Sequence, residues 1–291
     1  MASDPTIEKG GTDEPPTGLY QYDRTANKRV PTIGAVDEED LGFLEEHGYL
    51  VVDDFLDEGE IEAAKQGMST LVAAATDDDS GPPDDVLQFE EALQAEHDEP
   101  ENLPPAVLQE YVRKFWRFSD HSEAMAAPGK RPDLHDLLST LVDGEPEMFQ
   151  DMALIKPPEN GGEKPWHQDK AYFDVALDAP VVGAWIALDE ATAENGCMHV
   201  VPGSHRDGPV VHFERRDWQI CDTDVQVDED VMAPLEPGGL LLFDGLLHHG
   251  TPPNRSEQRR RALQFHYTAA DAEWVEDGHE AFGSEGKDVE C

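Results

Sequence analysis

The chain has 291 residues, of which 64 are acidic, 21 are basic and 38% are hydrophobic, and its formal net charge at pH 7 is −43. This balance excludes nucleic acid as a natural partner, because affinity for phosphate backbones depends on clustered lysine and arginine. The acidic residues occur in every segment, which favours adaptation to high salt, where ions screen repulsion between like charges. We therefore expect a protein from an extreme halophile, with an ordinary acidic protein as the alternative.

Cysteine content and hydropathy indicate the compartment. Cys197, Cys221 and Cys291 are odd in number and lack a CxxC spacing, so we expect neither a disulfide framework nor a zinc knuckle. Residues 1–16 lack the apolar core of a signal peptide, and no stretch approaches the roughly 20 apolar residues of a membrane span. These features predict a soluble, cytoplasmic protein without a membrane partner, and they do not indicate its oligomeric state.

The first elements in chain order are two helices and a strand. Residues 1–35 are rich in proline, glycine, threonine and charge, and we expect them to form a flexible acidic segment. Leucines at helical spacing predict a helix that ends at Gly48, a glycine in the position of a C-cap. A short strand over residues 49–52 and a second helix over residues 57–72 follow.

The middle of the chain combines an acidic insertion with an apolar stripe. Residues 77–105 contain many acids and several prolines, and we expect a solvated loop without chemistry that contains one short helical stretch near Phe89 to Leu93. Tyr111, Phe115 and Phe118 recur at helical spacing, which predicts that residues 107–141 are helical.

A β region follows the helices. Short apolar segments, separated by proline and glycine and without intervening helices, predict an antiparallel sandwich or barrel. The predicted strands are residues 148–156, 181–188, 198–201, 210–213, 239–243 and 262–267.

Two short motifs in the β region have the composition of a metal site. His167 and Asp169 are two residues apart, so on an extended segment both side chains project from one face. A histidine much later in the chain, His248 or His249, ends an apolar strand. Two imidazoles and one carboxylate in this order are typical of the facial triad of Fe(II), which leaves coordination positions open. An isolated HxD is more often a loop histidine beside a solvated aspartate, so the prediction depends on the distal histidine.

The choice between the two distal histidines follows from strand alternation. Only one of two successive side chains can face the interior of a sandwich. We favour His249, because Gly250 and Thr251 follow it and Arg260 then falls on the next strand; His248 would be structural. Arg260 offers a fixed fork of donors for a carboxylate.

Taken together, these motifs resemble the phytanoyl-CoA dioxygenase family of Fe(II)/2-oxoglutarate oxygenases. The resemblance extends from about residue 38 to 270, and its motifs occur in the family's order. They are Lys156-Pro157-Pro158, Pro165 to Asp169, Tyr172-Phe173, Ala184-Trp185, Glu194 to Cys197, Pro202 to His205, His249 to Thr251, and Arg260 to Ala262.

The resemblance implies a mainly β fold, a double-stranded β-helix (jelly-roll, cupin-like) with N-terminal flanking helices. The oxygenase domain would comprise residues 36–275, between the N-terminal segment and a C-terminal tail of residues 276–291. Iron would be held by His167, Asp169 and His249, and Arg260 would bind the distal carboxylate of 2-oxoglutarate.

Further positions are implied by the same resemblance. Residues that match the family's co-substrate pocket are Trp185, Gln168, Met152, Lys114 and Thr251. Trp185 and Met152 would also be core residues in any sandwich, and Lys114 would also suit a solvated helix surface. Tyr172 and His212 are candidate substrate contacts.

The implied reaction is hydroxylation of a C–H bond in a small organic substrate by O2, with release of succinate and CO2. Ascorbate would be an activator in vitro. Halogenating relatives carry a small residue in place of the carboxylate, so Asp169 favours hydroxylation. A cupin-like zinc hydrolase or isomerase is one alternative, in which Arg260 has no evident purpose, and a non-catalytic metal-binding barrel is another. The sequence does not reveal whether the substrate is an acyl-CoA, a compatible solute or another metabolite, although the scarcity of basic residues weighs against acyl-CoA.

Overall fold

The computed structural model describes residues 15–75, 86–90, 93, 96–97, 103–159, 161–276, 278–283 and 291. Helices begin and end where the sequence places caps. Helix α1 (Glu38–His47) begins after Asp37, whose side chain accepts hydrogen bonds from two backbone N–H groups, and ends at Gly48 with a φ of +81°. The other helices are α2 (Glu58–Ala74), α3 (Pro105–Leu108), α4 (Glu123–Ala126) and α5 (Pro132–Leu141). None of these described helices is both long and apolar enough to pass through a bilayer.

Fourteen described strands form two main sheets and a hairpin. The strands are β1 (Arg29–Val30), β2 (Tyr49–Val52), β3 (Leu87–Phe89), β4 (Val112–Trp116), β5 (Pro146–Lys156), β6 (Lys164–His167), β7 (Val182–Ala187), β8 (Met198–Val200), β9 (His212–Glu214), β10 (Trp218–Ile220), β11 (Val231–Ala233), β12 (Leu240–Asp244), β13 (His249–Thr251) and β14 (Arg260–Ala269). The major sheet has the order β1-β2-β12-β7-β14-β5-β4-β3, the minor sheet has the order β11-β8-β13-β6, and β9 pairs with β10. Among these strands only β1 and β2 pair in parallel.

The two faces of the major sheet are covered differently. On one face, residues such as Leu50 and Leu242 belong to a core cluster with Met68 of α2. On the other face, neighbouring residues such as Val51 and Leu241 pack with the minor sheet. A helix layer and two facing sheets are the arrangement of a jelly roll, as predicted. The described strands form open sheets and not a closed barrel.

The six predicted strands each overlap an observed one, namely β5, β7, β8, β9, β12 and β14. The helical prediction for residues 107–141 is wrong for Val112–Trp116, which is strand β4 between β3 and β5. The pairing of β4 with a strand on each side outweighs the helical spacing of its aromatic residues, because strand formation depends on packing against neighbouring strands. The acidic insertion is likewise not all loop, since Val86 is buried and β3 joins the major sheet; residues 76–85 and 98–102 lie outside the described residues.

Part of the predicted N-terminal segment packs against the rest of the fold. Leu19 and Tyr20 are buried in a cluster with Trp166, whose Nε1 donates a hydrogen bond of 3.2 Å to the Leu19 carbonyl. The Tyr20 hydroxyl donates to Glu163 over 2.7 Å. A few buried aromatic contacts therefore order a segment of polar composition. Residues 1–14 lie outside the described residues.

The cysteine prediction also requires correction. Cys221 and Cys291 form a disulfide across 70 residues of sequence, while Cys197 is a buried free thiol. The pairing depends on the path of the C-terminal segment, which brings Phe282 into full burial against His212. Spacing alone does not reveal such a path.

Candidate metal centre and its pocket

The two predicted motifs meet between the sheets. His167 ends β6 and lies directly opposite His249 of β13 in the ladder, while Asp169 begins the turn after β6. Asp169 Oδ1 lies 3.2 Å from His167 Nε2 and 3.5 Å from His249 Nε2. Among the described residues this is the one cluster of three buried His, Cys, Asp or Glu side chains with ligand atoms within 4.8 Å of one another.

The donor set fits a divalent transition metal. Metal–ligand bonds of about 2.0–2.2 Å at right angles place neighbouring ligand atoms roughly 3 Å apart, close to both observed distances. Two imidazoles and a carboxylate are the combination that suits Fe(II) in open facial sites. The three residues thus could hold such an ion on one face.

Both imidazoles are fixed in the orientation that a metal requires. His167 Nδ1 lies 2.7 Å from the Pro165 carbonyl, and His249 Nδ1 lies 2.9 Å from the Leu247 carbonyl. Because a carbonyl only accepts, each Nδ1 carries the hydrogen and each Nε2 presents its lone pair to the centre. Burial lowers the pKa of His167 to about 4, with a further contribution from His249, so this ring is neutral at pH 7.

The two carboxylate oxygens of Asp169 have different surroundings. Oδ1 faces the two histidines, whereas Oδ2 lies 3.0 Å from Gln264 Nε2 and 2.7 Å from His266 Nε2. Burial alone would raise the pKa of Asp169, but the neighbouring imidazoles outweigh it and hold this pKa well below the usual value. Asp169 is therefore a carboxylate anion in its site.

Arg260 is buried in the same pocket without a carboxylate partner among the described residues. Its side chain is 1% exposed, its guanidinium carbon lies 5.2 Å from the centroid of the Trp185 ring, and its Nε has no hydrogen bond. One weak hydrogen bond of 3.4 Å reaches the Leu154 carbonyl. Burial lowers its pKa to about 10, which leaves the guanidinium charged at pH 7. A buried, unpaired charge is unfavourable unless a ligand supplies the opposite charge.

One cavity connects these groups. It encloses about 840 Å³ of space, part of it open to solvent, and its wall contains both histidines, Asp169 and Arg260. Four other predicted residues line it: Met152, Lys114, Thr251 and Tyr172. Tyr172 packs edge-on against His167 at 5.7 Å, and Lys164 donates to its hydroxyl over 3.0 Å and pairs with Asp217 over 2.7 Å.

Three predicted site residues do not line the cavity, and two of them, Gln168 and His212, use their polar atoms elsewhere. The Gln168 amide donates to the Gly208 and Leu246 carbonyls and accepts from Val210 N–H. His212 accepts from the Gln168 backbone N–H over 3.1 Å through Nε2, and its Nδ1 lies 2.8 Å from the Val210 carbonyl. Burial lowers the pKa of His212 to about 3. Both side chains hold the loop around the HxD motif, so their predicted contacts with co-substrate and substrate have no support in the geometry.

Trp185 and His248 take supporting positions. Trp185 is fully buried beneath Arg260 and does not line the cavity, so it acts on the pocket through the arginine. His248 is buried beside His249, and its ring nitrogens have no hydrogen-bond partner among the described residues. The ligand cluster contains His249 and not His248, in agreement with the alternation argument.

Sequence reasoning missed several residues of the site. Gln264 and His266 contact Asp169, and they share a strand face with Arg260 because they follow it at even spacing along β14. This alternation, with polar residues in an otherwise apolar strand, was the signal that could have found them. Lys156 lies opposite Arg260 in the ladder, and its Nζ donates to the Gly162 and Thr251 carbonyls. The hydrogen bond from Lys156 to the loop before β6 depends on how the chain packs, and no spacing in the sequence indicates this contact.

Fold and site together define a jelly-roll protein with a 2-His-1-carboxylate centre. The family model of phytanoyl-CoA dioxygenase (PhyH) matches residues 44–262, and the chain belongs to this family.

Curated relatives agree with this assignment. "Phytanoyl-CoA dioxygenase 1" of Oryza sativa subsp. japonica is 28% identical over 261 residues, which cover 81% of this chain and 90% of that protein. "Phytanoyl-CoA dioxygenase domain-containing protein 1" of Danio rerio is 32% identical over 143 residues, which cover 46% of this chain and 49% of that protein. The chain thus spans about half the length of several curated relatives that it matches.

Solved structures show the same fold. EvdO2 from Micromonospora carbonacea var. aurantiaca is 26% identical with a TM-score of 0.61, and the match covers 85% of this chain and 100% of EvdO2. EvdO2 has also been solved with 2-oxoglutarate. The epimerase SnoN, in complex with Fe3+, alpha ketoglutarate and nogalamycin RO, is 19% identical with a TM-score of 0.63, and the match covers 82% of this chain and 86% of SnoN.

Proposed function

We propose that the protein is an Fe(II)- and 2-oxoglutarate-dependent oxygenase that hydroxylates a C–H bond of a small organic substrate. One observation carries the proposal: three buried ligand atoms converge in a cavity that also holds a buried arginine without a carboxylate partner among the described residues. The first group suits iron, and the second suits the far carboxylate of a dicarboxylic acid. Family membership and a solved 2-oxoglutarate complex of EvdO2 support this combination.

Each residue of the centre has a distinct task. His167, Asp169 and His249 would hold the iron, because the Nδ1 contacts of both histidines with backbone carbonyls leave Nε2 as the atom that faces the centre. Arg260 would bind the distal carboxylate of 2-oxoglutarate, and its guanidinium lies over the Trp185 ring, 5.2 Å from the ring centroid. When bound, Fe(II) supplies the redox chemistry that couples decarboxylation of 2-oxoglutarate to succinate and CO2 with oxidation of the substrate by O2.

Several apolar wall residues lie near the metal ligands. Met152, Met198 and Phe173 are buried and face the cavity, so the space beside the metal ligands is largely apolar. A dry site suppresses side reactions and strengthens the charge interactions of Arg260 with a bound anion. No general base is required of the protein in this chemistry.

Hydroxylation is the outcome that Asp169 favours, since the carboxylate occupies the position that halide takes in halogenating relatives. The epimerase SnoN has the same fold, so the fold alone does not decide the outcome. We propose Tyr172 as a substrate contact, because it lines the cavity next to His167.

Succinate formation tests the proposal. Purified protein is incubated with Fe(II), ascorbate and 2-oxoglutarate in molar KCl, and succinate is measured together with the visible charge-transfer band of an Fe(II)/2-oxoglutarate complex. We expect both signals in the wild type and the loss of both in Asp169→Ala. Arg261→Met is the matched control, because Arg261 neighbours Arg260 but pairs with Asp189 over 2.7 Å. Absence of both signals in the wild type would instead favour a zinc enzyme or a non-catalytic barrel.

A further inference from the structure

We propose that Gln264 and His266 are positioning residues that hold Asp169 so that only its Oδ1 is available to a metal. The inference rests on the metal site of the proposed function. It starts from the unequal surroundings of the two carboxylate oxygens. Oδ2 lies 3.0 Å from Gln264 Nε2 and 2.7 Å from His266 Nε2, whereas Oδ1 lies 3.2 Å and 3.5 Å from the two candidate ligand nitrogens.

The tautomer of His266 follows from these contacts. If Nε2 lacked a hydrogen, its lone pair would face a carboxylate oxygen at 2.7 Å, which is repulsive. Nε2 therefore carries the hydrogen and donates it to Asp169. Gln264 Nε2 and His266 Nε2 lie 3.1 Å apart because both donate to the same acceptor, Asp169 Oδ2.

Apolar side chains surround the His266 ring. Phe149, Phe173 and Phe243 pack around its ring at centroid distances of 4.9–6.5 Å. Its Nδ1 has no hydrogen-bond partner among the described residues. A polar ring that is surrounded by phenylalanines and donates a hydrogen bond to Asp169 is the pattern expected of a group that orients a metal ligand.

The strand that carries both residues lies inside the major sheet. β14 lies between β5 and β7 in the major sheet, and both side chains are buried. The β14–β5 register shifts directly after His266, and irregularities of this kind re-aim side chains next to functional sites. The strand that presents Arg260 thus also fixes the carboxylate of Asp169.

The consequence concerns the number of open coordination positions. An aspartate side chain has a broad torsional preference at its carboxylate and can bind a metal with one oxygen or with two. With Oδ2 engaged by two donors, Asp169 supplies one ligand atom. A six-coordinate ion then keeps three open positions, enough for a bidentate co-substrate and O2.

Co(II) binding by the metal-free protein tests this inference. The variants are His266→Phe, which suits the surrounding phenylalanines, Gln264→Met, the double variant, and His266→Gln, which keeps an N–H donor. The readouts are the Co(II) dissociation constant, the visible Co(II) spectrum, and thermal unfolding without metal. We expect each single loss of a donor to weaken Co(II) binding about tenfold and the double variant about 100-fold, with an altered spectrum. His266→Gln should stay within about threefold of the wild type.

The control is His248→Phe, which also replaces a buried histidine but one that does not contact Asp169. Wild-type affinity and spectrum in the double variant would overturn the positioning role and leave the proposed function intact. If the double variant does not fold, the same comparison is made between His266→Phe and His266→Gln, and equal affinities would overturn the inference. A wild type that fails to bind Co(II) would overturn the metal site itself.

Discussion

Replacing Arg260 by methionine should change stability and co-substrate binding in opposite directions. The guanidinium is 1% exposed and has no carboxylate partner among the described residues, so its burial opposes folding. Replacement of buried ionic groups by apolar side chains is often neutral or stabilising by about 1–4 kcal/mol. Loss of the cation–π contact with Trp185, 5.2 Å from the guanidinium carbon, offsets about 1 kcal/mol of this gain. We expect the ligand-free variant to be more stable by about 0–3 kcal/mol.

The effect on 2-oxoglutarate has the other sign. Hydrogen bonds to a charged group contribute about 1.5–3 kcal/mol. Loss of the arginine should therefore raise the dissociation constant of 2-oxoglutarate by about 10- to 100-fold. Thermal unfolding in molar KCl, with and without Mn(II) and 2-oxoglutarate, measures both effects, since 1 kcal/mol shifts the midpoint by roughly 2–4 °C. Arg261→Met is the control and should leave 2-oxoglutarate binding unchanged. A ligand-free Arg260→Met protein that is destabilised by more than about 1 kcal/mol, or that binds 2-oxoglutarate normally, would refute the reasoning.

Four further predictions concern other features of the molecule. His249→Phe should abolish Co(II) binding in a spectroscopic titration, whereas His248→Phe should retain it; the reverse result would exchange their roles. Burial lowers the pKa of His248 to about 4. On acidification the unfolded chain therefore binds a proton near pH 6.5, whereas the folded protein binds it only near pH 4. This contribution to stability is complete above about pH 6.5 and is lost at up to about 1.4 kcal/mol per pH unit toward pH 4. Denaturant unfolding of His248→Phe should accordingly show a shallower pH slope, and an unchanged slope would contradict the burial argument. Cys221→Ser should lower the free energy of unfolding by up to about 4 kcal/mol, given the 70-residue separation of Cys221 and Cys291; three reactive thiols in the denatured, unreduced wild type would contradict the disulfide. The melting temperature should rise steeply with KCl, given a net charge of −43, and a melt independent of salt would remove the case for halophilic adaptation.

The residues of the candidate metal site and Arg260 could be predicted from the sequence, because ligand order and strand alternation depend on local sequence patterns. His167 and Asp169 project from one face at a spacing of two. Alternation allows only one of His248 and His249 to face inward, and the residues after His249 favoured it. Arg260 was predicted because it falls on the strand after His249 and matches the arginine position of the family that the sequence resembles. The structure places all four in one cavity.

Other features of the molecule depend on tertiary contacts, which local sequence patterns do not contain. Gln168 and His212 are polar residues near the motif, but backbone groups of a neighbouring loop take up their hydrogen bonds. Strand β4 carries aromatic residues at helical spacing, and only its pairing with β3 and β5 makes it a strand. The Cys221–Cys291 pairing and the packing of Tyr20 similarly depend on chain paths that no local pattern reveals.

The most direct test of the account is a crystal structure of the protein with Mn(II) and 2-oxoglutarate, with the metal located by anomalous scattering. We predict one ion bound by His167 Nε2, His249 Nε2 and Asp169 Oδ1, with 2-oxoglutarate reaching from the ion to Arg260. An ion bound elsewhere, or a co-substrate carboxylate that does not contact Arg260, would contradict the central claim.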